Sequence, residues 1–257
     1  MLITIDIGNS TINIGYYLDS GLLVQKITTH PLLPSDEYSR LMRDFFEQNH
    51  IEKTFFSCII SSVVTTHTMV LRDAVTELSD NKDNDILVLN PQMVTGLNLK
   101  VKAPEELGTD RLAAAAGAYA IYRGPVAVID LGTATTITIV GKEADLLGGS
   151  IMPGIGLMND VLEQRTSKLT KIQLKQPGLA LGTDTAGCIR SGLLIGTAGA
   201  VERILDEIEK ETGCTFRVVL TGGYAHLVNA LIRRPHAVNA FLTHEGLREI
   251  YGKNRTA

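Results

Sequence analysis

The chain has 257 residues, enough for one large domain or two modest ones. Hydrophobic residues make up 44% and charged residues 20%, a composition typical of globular proteins that excludes wholesale disorder. The 24 lysines and arginines against 28 aspartates and glutamates give a net charge of −4, and without a basic cluster the chain is not expected to bind nucleic acid.

The first half is predicted to alternate strands with helices. Met1 to Asp6 is predicted to be a buried strand that leads into a hairpin. Ser35 is a candidate cap for an amphipathic helix, whose apolar residues are Tyr38, Leu41, Met42, Phe45 and Phe46. A strand over 55–60, a helix over 69–78, a short strand over 86–89 and an alanine-rich helix over 111–122 follow.

The second half repeats this alternation. The sequence predicts a hairpin over 126–141, helices over 155–169 and 185–211, a strand over 216–220 and a last helix over 243–251. Residues 148–154 are expected to form a stiff turn, and Gly213 a left-handed helix cap. The long helix has more apolar surface than one small domain readily covers, which favours a partner; its apolar residues include Ile189, Leu193, Leu194 and Ile204.

The cellular compartment is predicted from two features. The longest window without a charged residue, 54–71, is rich in serine and threonine, so no membrane span is expected. The three cysteines, Cys58, Cys188 and Cys214, lack the spacing of a disulfide framework or a zinc site. We therefore expect a cytoplasmic protein with reduced thiols.

An internal repeat relates the two halves of the chain. Residues 2–15 read LITIDIGNSTINIG, and residues 126–141 read VAVIDLGTATTITIVG. Each segment is an apolar strand, an aspartate, a glycine, a hydroxyl-rich turn and a second strand. The repeat predicts two homologous α/β domains, 1–120 and 121–257, that face each other across a cleft.

The first copy has the chemistry of a phosphate site. Asp6 ends a strand, Gly8 allows a tight turn, and the amides and hydroxyls that follow can converge on an anion. The carboxylate suits a hydrated Mg²⁺, which takes only one or two protein carboxylates. The alternative is an ordinary hairpin turn. The second copy, with Asp130 and Thr133, would grip the same polyphosphate from another side, and the turn at 221–223 would allow a backbone to approach a flat ring.

Together these segments resemble the actin-like ATPase superfamily, with its ribonuclease H-like domains, and within it type III pantothenate kinase. The motifs that carry the resemblance are DIGNST, GTDR at 108–111, DLGTATT, GGSIMPG and a late TGG, in this order over nearly the whole chain. The resemblance implies ATP-dependent phosphorylation of pantothenate, the first step of coenzyme A synthesis. Val101 departs from the family, since many members have an aromatic residue there.

The resemblance also implies roles for individual residues. The ATP phosphates should lie against Asp6, Ile7, Gly8, Asn9, Ser10, Thr11, Ile12 and Asn13, with Thr133 at the nucleotide. Asp130 should bind a monovalent cation, K⁺ or NH₄⁺, in addition to the Mg²⁺ that accompanies ATP. Pantothenate should contact Gly108, Thr109, Asp110, Arg111 and Thr185, with Asp110 as the catalytic proton acceptor and Thr185 reaching it across a homodimer.

Alternatives remain open at this point. Thr109 or Asp110 could simply cap the helix that follows, and the segment around Thr185 could cap the next long helix. The acceptor could be another small molecule, such as a sugar. A nucleotide-binding accessory protein of the same fold is a further alternative, although intact Asp6, Asp110, Arg111 and Asp130 argue against loss of catalysis.

Overall fold

A computed structural model describes residues 1–52, 56–78 and 86–255. The chain divides into two compact units: residues 1–97, 102–120 and 243–257 form the first, and residues 98–101 and 121–242 form the second. The C-terminal segment from Thr243 onward groups with the first unit, whereas the sequence had assigned it to the second domain. The origin of the two units by duplication stays a prediction.

The first unit contains a five-stranded sheet. Its strands are β1 (Leu2–Ile7), β2 (Thr11–Leu18), β3 (Gly21–Thr28), β4 (Ser57–Ser62) and β5 (Ile86–Val88). Their order is β3-β2-β1-β4-β5, with β1 antiparallel to β2 and parallel to β4. Since β1 lies between β2 and β4, its isoleucines are fully buried, which accounts for its nearly continuous apolar sequence.

Two helices cover this sheet, α1 (Ser35–Gln48) and α2 (Thr65–Leu78). The buried side chains of α1 include Tyr38, Met42 and Phe46, as their helical spacing predicts. Capping by Ser35 is wrong, because Pro34 takes the cap position and the Ser35 hydroxyl donates to Glu77 instead. Phe55, the predicted start of β4, lies outside the described residues.

The second unit repeats the strand arrangement of the first. Its strands are β6 (Asn98–Leu99), β7 (Val126–Leu131), β8 (Ala134–Val140), β9 (Asp145–Pro153), β10 (Arg217–Thr221) and β11 (His236–Val238). Helix α3 (Thr109–Tyr122) follows β6 in the chain, but its residues up to Ala120 belong to the first unit. The sheet order is β11-β10-β7-β8-β9-β6, so β9-β8-β7-β10-β11 reproduces the first sheet strand by strand and direction by direction. The predicted α/β fold is confirmed, and both units contain the same strand arrangement.

Residues 148–153 correct one prediction, because they lie in β9 and not in a turn. Gly148 and Gly149 have φ angles of 128° and 154°. A Cβ on Gly149 would collide with the backbone of Ile137 on the neighbouring β8. Gly149 therefore lets two strands approach closely, and sequence alone does not distinguish this use of glycine from a turn.

The remaining helices are α4 (Ile155–Arg165), α5 (Thr185–Thr212), α6 (Ala225–Val228) and α7 (Leu242–Asn254). Gly213 adopts the predicted left-handed conformation, with φ of 64°. Ile189, Leu193 and Leu194 of α5 are buried in the core of their own unit, and Ile204 packs against that core. The apolar face of α5 is therefore no evidence for a partner. Of the helices that the structure describes, none is long and apolar enough to cross a membrane.

Candidate active site

The first loop, residues 6–13, is the turn between β1 and β2. Asp6 pairs with Asn13 on β2 and with Ser61 on β4, so three polar residues meet at the ends of neighbouring strands. The Gly8 amide donates to the Thr11 carbonyl over 2.9 Å, which closes the turn and leaves Asn9 and Ser10 exposed at its tip. The structure thus brings the predicted loop residues together at one accessible point.

Thr29 and His67 lie directly behind this loop. The buried Thr29 donates its hydroxyl to the Gly8 carbonyl (2.7 Å) and its amide to the Ser10 carbonyl (3.1 Å). The Thr29 carbonyl lies 2.7 Å from His67 Nε2, which must therefore carry the ring proton. Sequence analysis missed both residues, because neither belongs to a motif.

The GTDR segment lies at the start of α3, which begins at Thr109, two residues earlier than predicted. The Thr109 hydroxyl donates to the Ser62 carbonyl (3.1 Å), accepts from the Ser62 amide (3.0 Å), and lies 3.0 Å from the Ser61 hydroxyl. Thr109 therefore fastens the helix to the end of β4. Sequence analysis also missed Ser61 and Ser62, although their position at the end of a strand was a usable signal.

Asp110 lies in the first turn of α3. Its Oδ1 accepts the Arg111 amide over 2.7 Å, and the Leu112 amide bonds to the Gly108 carbonyl, so Gly108 holds the cap position. A Cβ on Gly108 would lie 2.5 Å from that Oδ1, so a side chain there would force the Asp110 carboxylate to move. Burial lowers the pKa of the Arg111 guanidinium, and the nearby Asp110 carboxylate partly offsets this by raising it.

The second loop, residues 130–136, occupies the equivalent place in the second unit. Asp130 pairs with Thr136 on β8 and with Thr221 on β10. The Gly132 amide donates to the Ala134 carbonyl (3.1 Å), and the Thr133 carbonyl accepts the Gly154 amide (3.0 Å). Thr133 itself is exposed at the tip, so its side chain is accessible to a ligand.

Glycines surround the Asp130 carboxylate. Gly222 has φ of 89°, and a Cβ there would collide with Asp130 Oδ1. A Cβ on Gly132 would lie 3.3 Å from the same oxygen. A side chain at either position would crowd this carboxylate, so Gly132 and the Thr221-Gly222-Gly223 turn can pack closely against Asp130, a contact that the sequence did not predict.

Thr185 lies at another place in the second unit, at the first residue of α5. Asp184 caps this helix by accepting the Gly187 amide (2.6 Å), so Thr185 is not the cap and its hydroxyl is not needed for that purpose. An open cavity of about 680 Å³ adjoins it, lined by residues that include Leu162, Leu169, Thr183, Thr185 and Cys188. The cavity has the size of a small-ligand site.

Comparisons with known proteins identify the relatives of this chain. A family model described as type III pantothenate kinase matches residues 2–207. A type III pantothenate kinase from Roseiflexus sp. strain RS-1 is 38% identical over 258 residues and is covered completely, as is this chain. A second one, from Moorella thermoacetica, is 33% identical over 256 residues, with 99% of this chain and all of that protein covered.

A solved structure shares the fold at low identity. The activator of 2-hydroxyisocaproyl-CoA dehydratase from Clostridium difficile, with bound ADPNP, superposes with a TM-score of 0.57. The two chains are 12% identical, and the match covers 100% of this chain and 99% of that one. This likeness concerns the fold alone.

Proposed function

The chain belongs to the type III pantothenate kinase family, which makes it an ATP-dependent kinase of pantothenate in coenzyme A synthesis, and on that premise we propose which residues carry the reaction. This function is supported by the family model, which matches residues 2–207, and by relatives of the same family that align over the full length of the chain. The relatives favour pantothenate over a sugar and an enzyme over an accessory protein. We also infer that the enzyme works in the cytoplasm, in keeping with its three free cysteines.

The first loop is proposed to hold the phosphates of ATP. Its exposed tip, at Asn9 and Ser10, offers amides and hydroxyls, and Asp6 offers a carboxylate at the adjoining strand end. An ATP-dependent kinase of this fold uses a divalent metal with the nucleotide, and one carboxylate beside a phosphate cradle fits hydrated Mg²⁺. When bound, Mg²⁺ neutralises charge on the phosphate oxygens.

The second loop is proposed to contact the nucleotide through Thr133 and to hold a monovalent cation, K⁺ or NH₄⁺, at Asp130. The position of Asp130 supports this, because its carboxylate lies near the end of β7 beside the exposed Thr133, with glycines and no bulky side chains at positions 132 and 222. The cation would offset negative charge near the phosphates. Equal rates in Na⁺, K⁺ and NH₄⁺ buffers, or an Asp130→Ala variant whose rate still depends on K⁺, would contradict the assignment.

Pantothenate is proposed to lie against Gly108, Thr109, Asp110 and Arg111. Phosphoryl transfer depends mainly on position and charge, so the protein needs a carboxylate beside the attacking hydroxyl and little other chemistry. Asp110 supplies that carboxylate on a helix start that Thr109 fastens to β4. Because the Thr109 hydroxyl already has partners at Ser61 and Ser62, we infer that Thr109 approaches pantothenate through its backbone.

Thr185 is proposed to reach the pantothenate of a second copy in a homodimer. The support is its freedom from the capping role and its position on the cavity wall. The variant Asp184→Ala removes the helix cap, whereas Thr185→Val removes only the Thr185 hydroxyl and leaves the cap in place. A direct contact requires Thr185→Val to raise the KM for pantothenate while the melting temperature stays near that of the wild type.

The test of the function is release of ADP by the purified protein. Pantothenate as the only acceptor should give steady turnover, whereas a panel of sugars and a reaction without acceptor should give none. Turnover with a sugar at a rate equal to that with pantothenate would contradict the assignment of substrate. ADP release that is independent of any acceptor would instead indicate an ATPase.

A further inference from the structure

We infer that Thr29, supported by His67, is a positioning residue that fixes the first loop in the conformation that binds ATP; this rests on the proposed role of that loop. Thr29 follows β3 and contributes nothing to the motifs of the sequence. Its side chain is fully buried, so it does not contact ATP itself. Its effect must pass through the loop backbone.

The hydroxyl, the amide and the carbonyl of Thr29 each form a hydrogen bond that holds either the loop or Thr29 itself. Its hydroxyl donates to the Gly8 carbonyl over 2.7 Å, and its amide donates to the Ser10 carbonyl over 3.1 Å. Its own carbonyl accepts the N–H of His67 Nε2 over 2.7 Å. One residue therefore holds two carbonyls of the loop and is itself held by a third hydrogen bond.

The peptide geometry converts these bonds into a direction for the loop amides. A trans peptide is planar, so its N–H points opposite to its C=O. Holding the Gly8 carbonyl toward Thr29 turns the Asn9 amide to the opposite side, away from the protein interior. An amide that is fixed in this direction is ready to donate to a phosphate oxygen without further ordering, which improves binding.

His67 keeps Thr29 in place from α2. Its ring is 2% exposed, its Nδ1 lies 3.3 Å from the Thr66 hydroxyl, and it makes an edge contact with the His30 ring at 5.7 Å between centroids. These contacts fix the ring orientation that presents Nε2–H to Thr29. The hydrogen bonds from His67 to Thr29 and from Thr29 to Gly8 thus connect α2 to the first loop.

The main test removes only the Thr29 hydroxyl. Thr29→Val keeps the shape but loses the bond to Gly8, and we expect the KM for ATP to rise about 3- to 10-fold, in line with the loss of one buried hydrogen bond. The KM for pantothenate should stay within about twofold. Thr29→Ser retains the hydroxyl and should restore the KM for ATP. Thr29→Ala removes the same hydrogen bond with a smaller side chain. It replaces Thr29→Val in the experiment if the valine variant does not fold.

A matched control separates positioning from stability. Thr4 is also fully buried in the first sheet; its hydroxyl donates to the Gly15 carbonyl over 3.3 Å and lies 2.8 Å from His244 Nδ1. Thr4→Val should therefore lower the melting temperature at least as much as Thr29→Val and leave the KM for ATP unchanged. If Thr4→Val and Thr29→Val raise this KM equally, the effect is general loosening and the inference is wrong.

A variant of the loop itself distinguishes failure of this inference from failure of the proposed function. Asp6→Asn changes a residue proposed to act at the phosphates directly. If Asp6→Asn weakens ATP binding and Thr29→Val does not, the loop binds ATP but Thr29 does not position it. If neither variant changes ATP binding, the phosphate role of the loop is wrong, and the inference is overturned with it. His67→Leu should raise the KM for ATP in the same direction as Thr29→Val.

Discussion

The carboxylate of Asp110 could act on the substrate hydroxyl or only on the helix start, and one substitution separates these roles. Asp110→Asn can still accept the Arg111 amide at the 2.7 Å position, so helix and fold should persist. A general base is worth about 10²- to 10⁴-fold in rate, so turnover should fall by at least about 10²-fold. Steady-state rates, melting temperature and ATP binding measure this. Asp36→Asn, in the exposed first turn of α1, is the control. Turnover within a few-fold of the parent would assign Asp110 to orientation alone.

Burial of His244 makes stability depend on pH. The ring is 4% exposed, its Nδ1 lies 2.8 Å from the Thr4 hydroxyl, and burial lowers its pKa to about 4 from an ordinary 6.5. The unfolded chain therefore binds a proton more readily, so the contribution of neutral His244 is complete above about pH 6.5 and is lost as pH falls toward 4. This loss of unfolding free energy is on the order of 3 kcal/mol.

Urea unfolding between pH 7.5 and 4.5 measures this loss. His244→Asn should flatten the dependence of the unfolding free energy on pH, whereas substitution of the exposed His50 by asparagine should leave it as in the parent. An unchanged slope in His244→Asn would mean that carboxylates alone cause the loss of stability in acid.

At the scale of elements, the crossing of α7 and α3 depends on one glycine. A Cβ on Gly246 would collide with the Ala113 carbonyl and lie 3.0 Å from the Gly117 amide. Gly246→Ala must push α7 away from α3, and we expect a loss of more than about 2 kcal/mol in unfolding free energy. Gly252 lies on the same helix with open space around it, so Gly252→Ala should be neutral or stabilise by up to about 1 kcal/mol. Equal urea midpoints for both variants would contradict the close crossing.

At the scale of the whole molecule, the proposed homodimer needs an exposed apolar surface other than the buried apolar face of α5. Leu179 and Leu181 are 76% and 80% exposed in the segment before that helix, and Leu157 and Val161 of α4 are also exposed. Light scattering should give twice the 27.8 kDa chain mass. Leu181→Glu should shift the mass toward one chain and weaken pantothenate saturation, whereas Met69→Glu, at a residue 70% exposed in the first unit, should do neither. A fully active monomer at micromolar concentration would rule out a shared site.

The sequence by itself determined the features that depend on short stretches of chain. The hairpins at 6–13 and 130–136 are local, and a strand, an aspartate, a glycine and a polar turn repeated at half-length predicted two similar α/β units. The common strand order of their sheets came from the structure. Helices such as α1 and α5 followed from spacing and from caps such as Gly213. Local hydrogen bonding and periodicity are enough for these predictions.

Only the tertiary structure decided which distant residues support the site. Thr29 meets Gly8 across 21 positions, His67 meets Thr29 across 38, and Thr109 meets Ser61 across 48. Such contacts have no periodic pattern, because the sheet order and not the chain order makes them neighbours. The same reason explains why the C-terminal helix packs with the first unit and why the apolar face of α5 is covered by its own core. An apolar pattern shows that a face is buried, but only the folded chain shows what covers it.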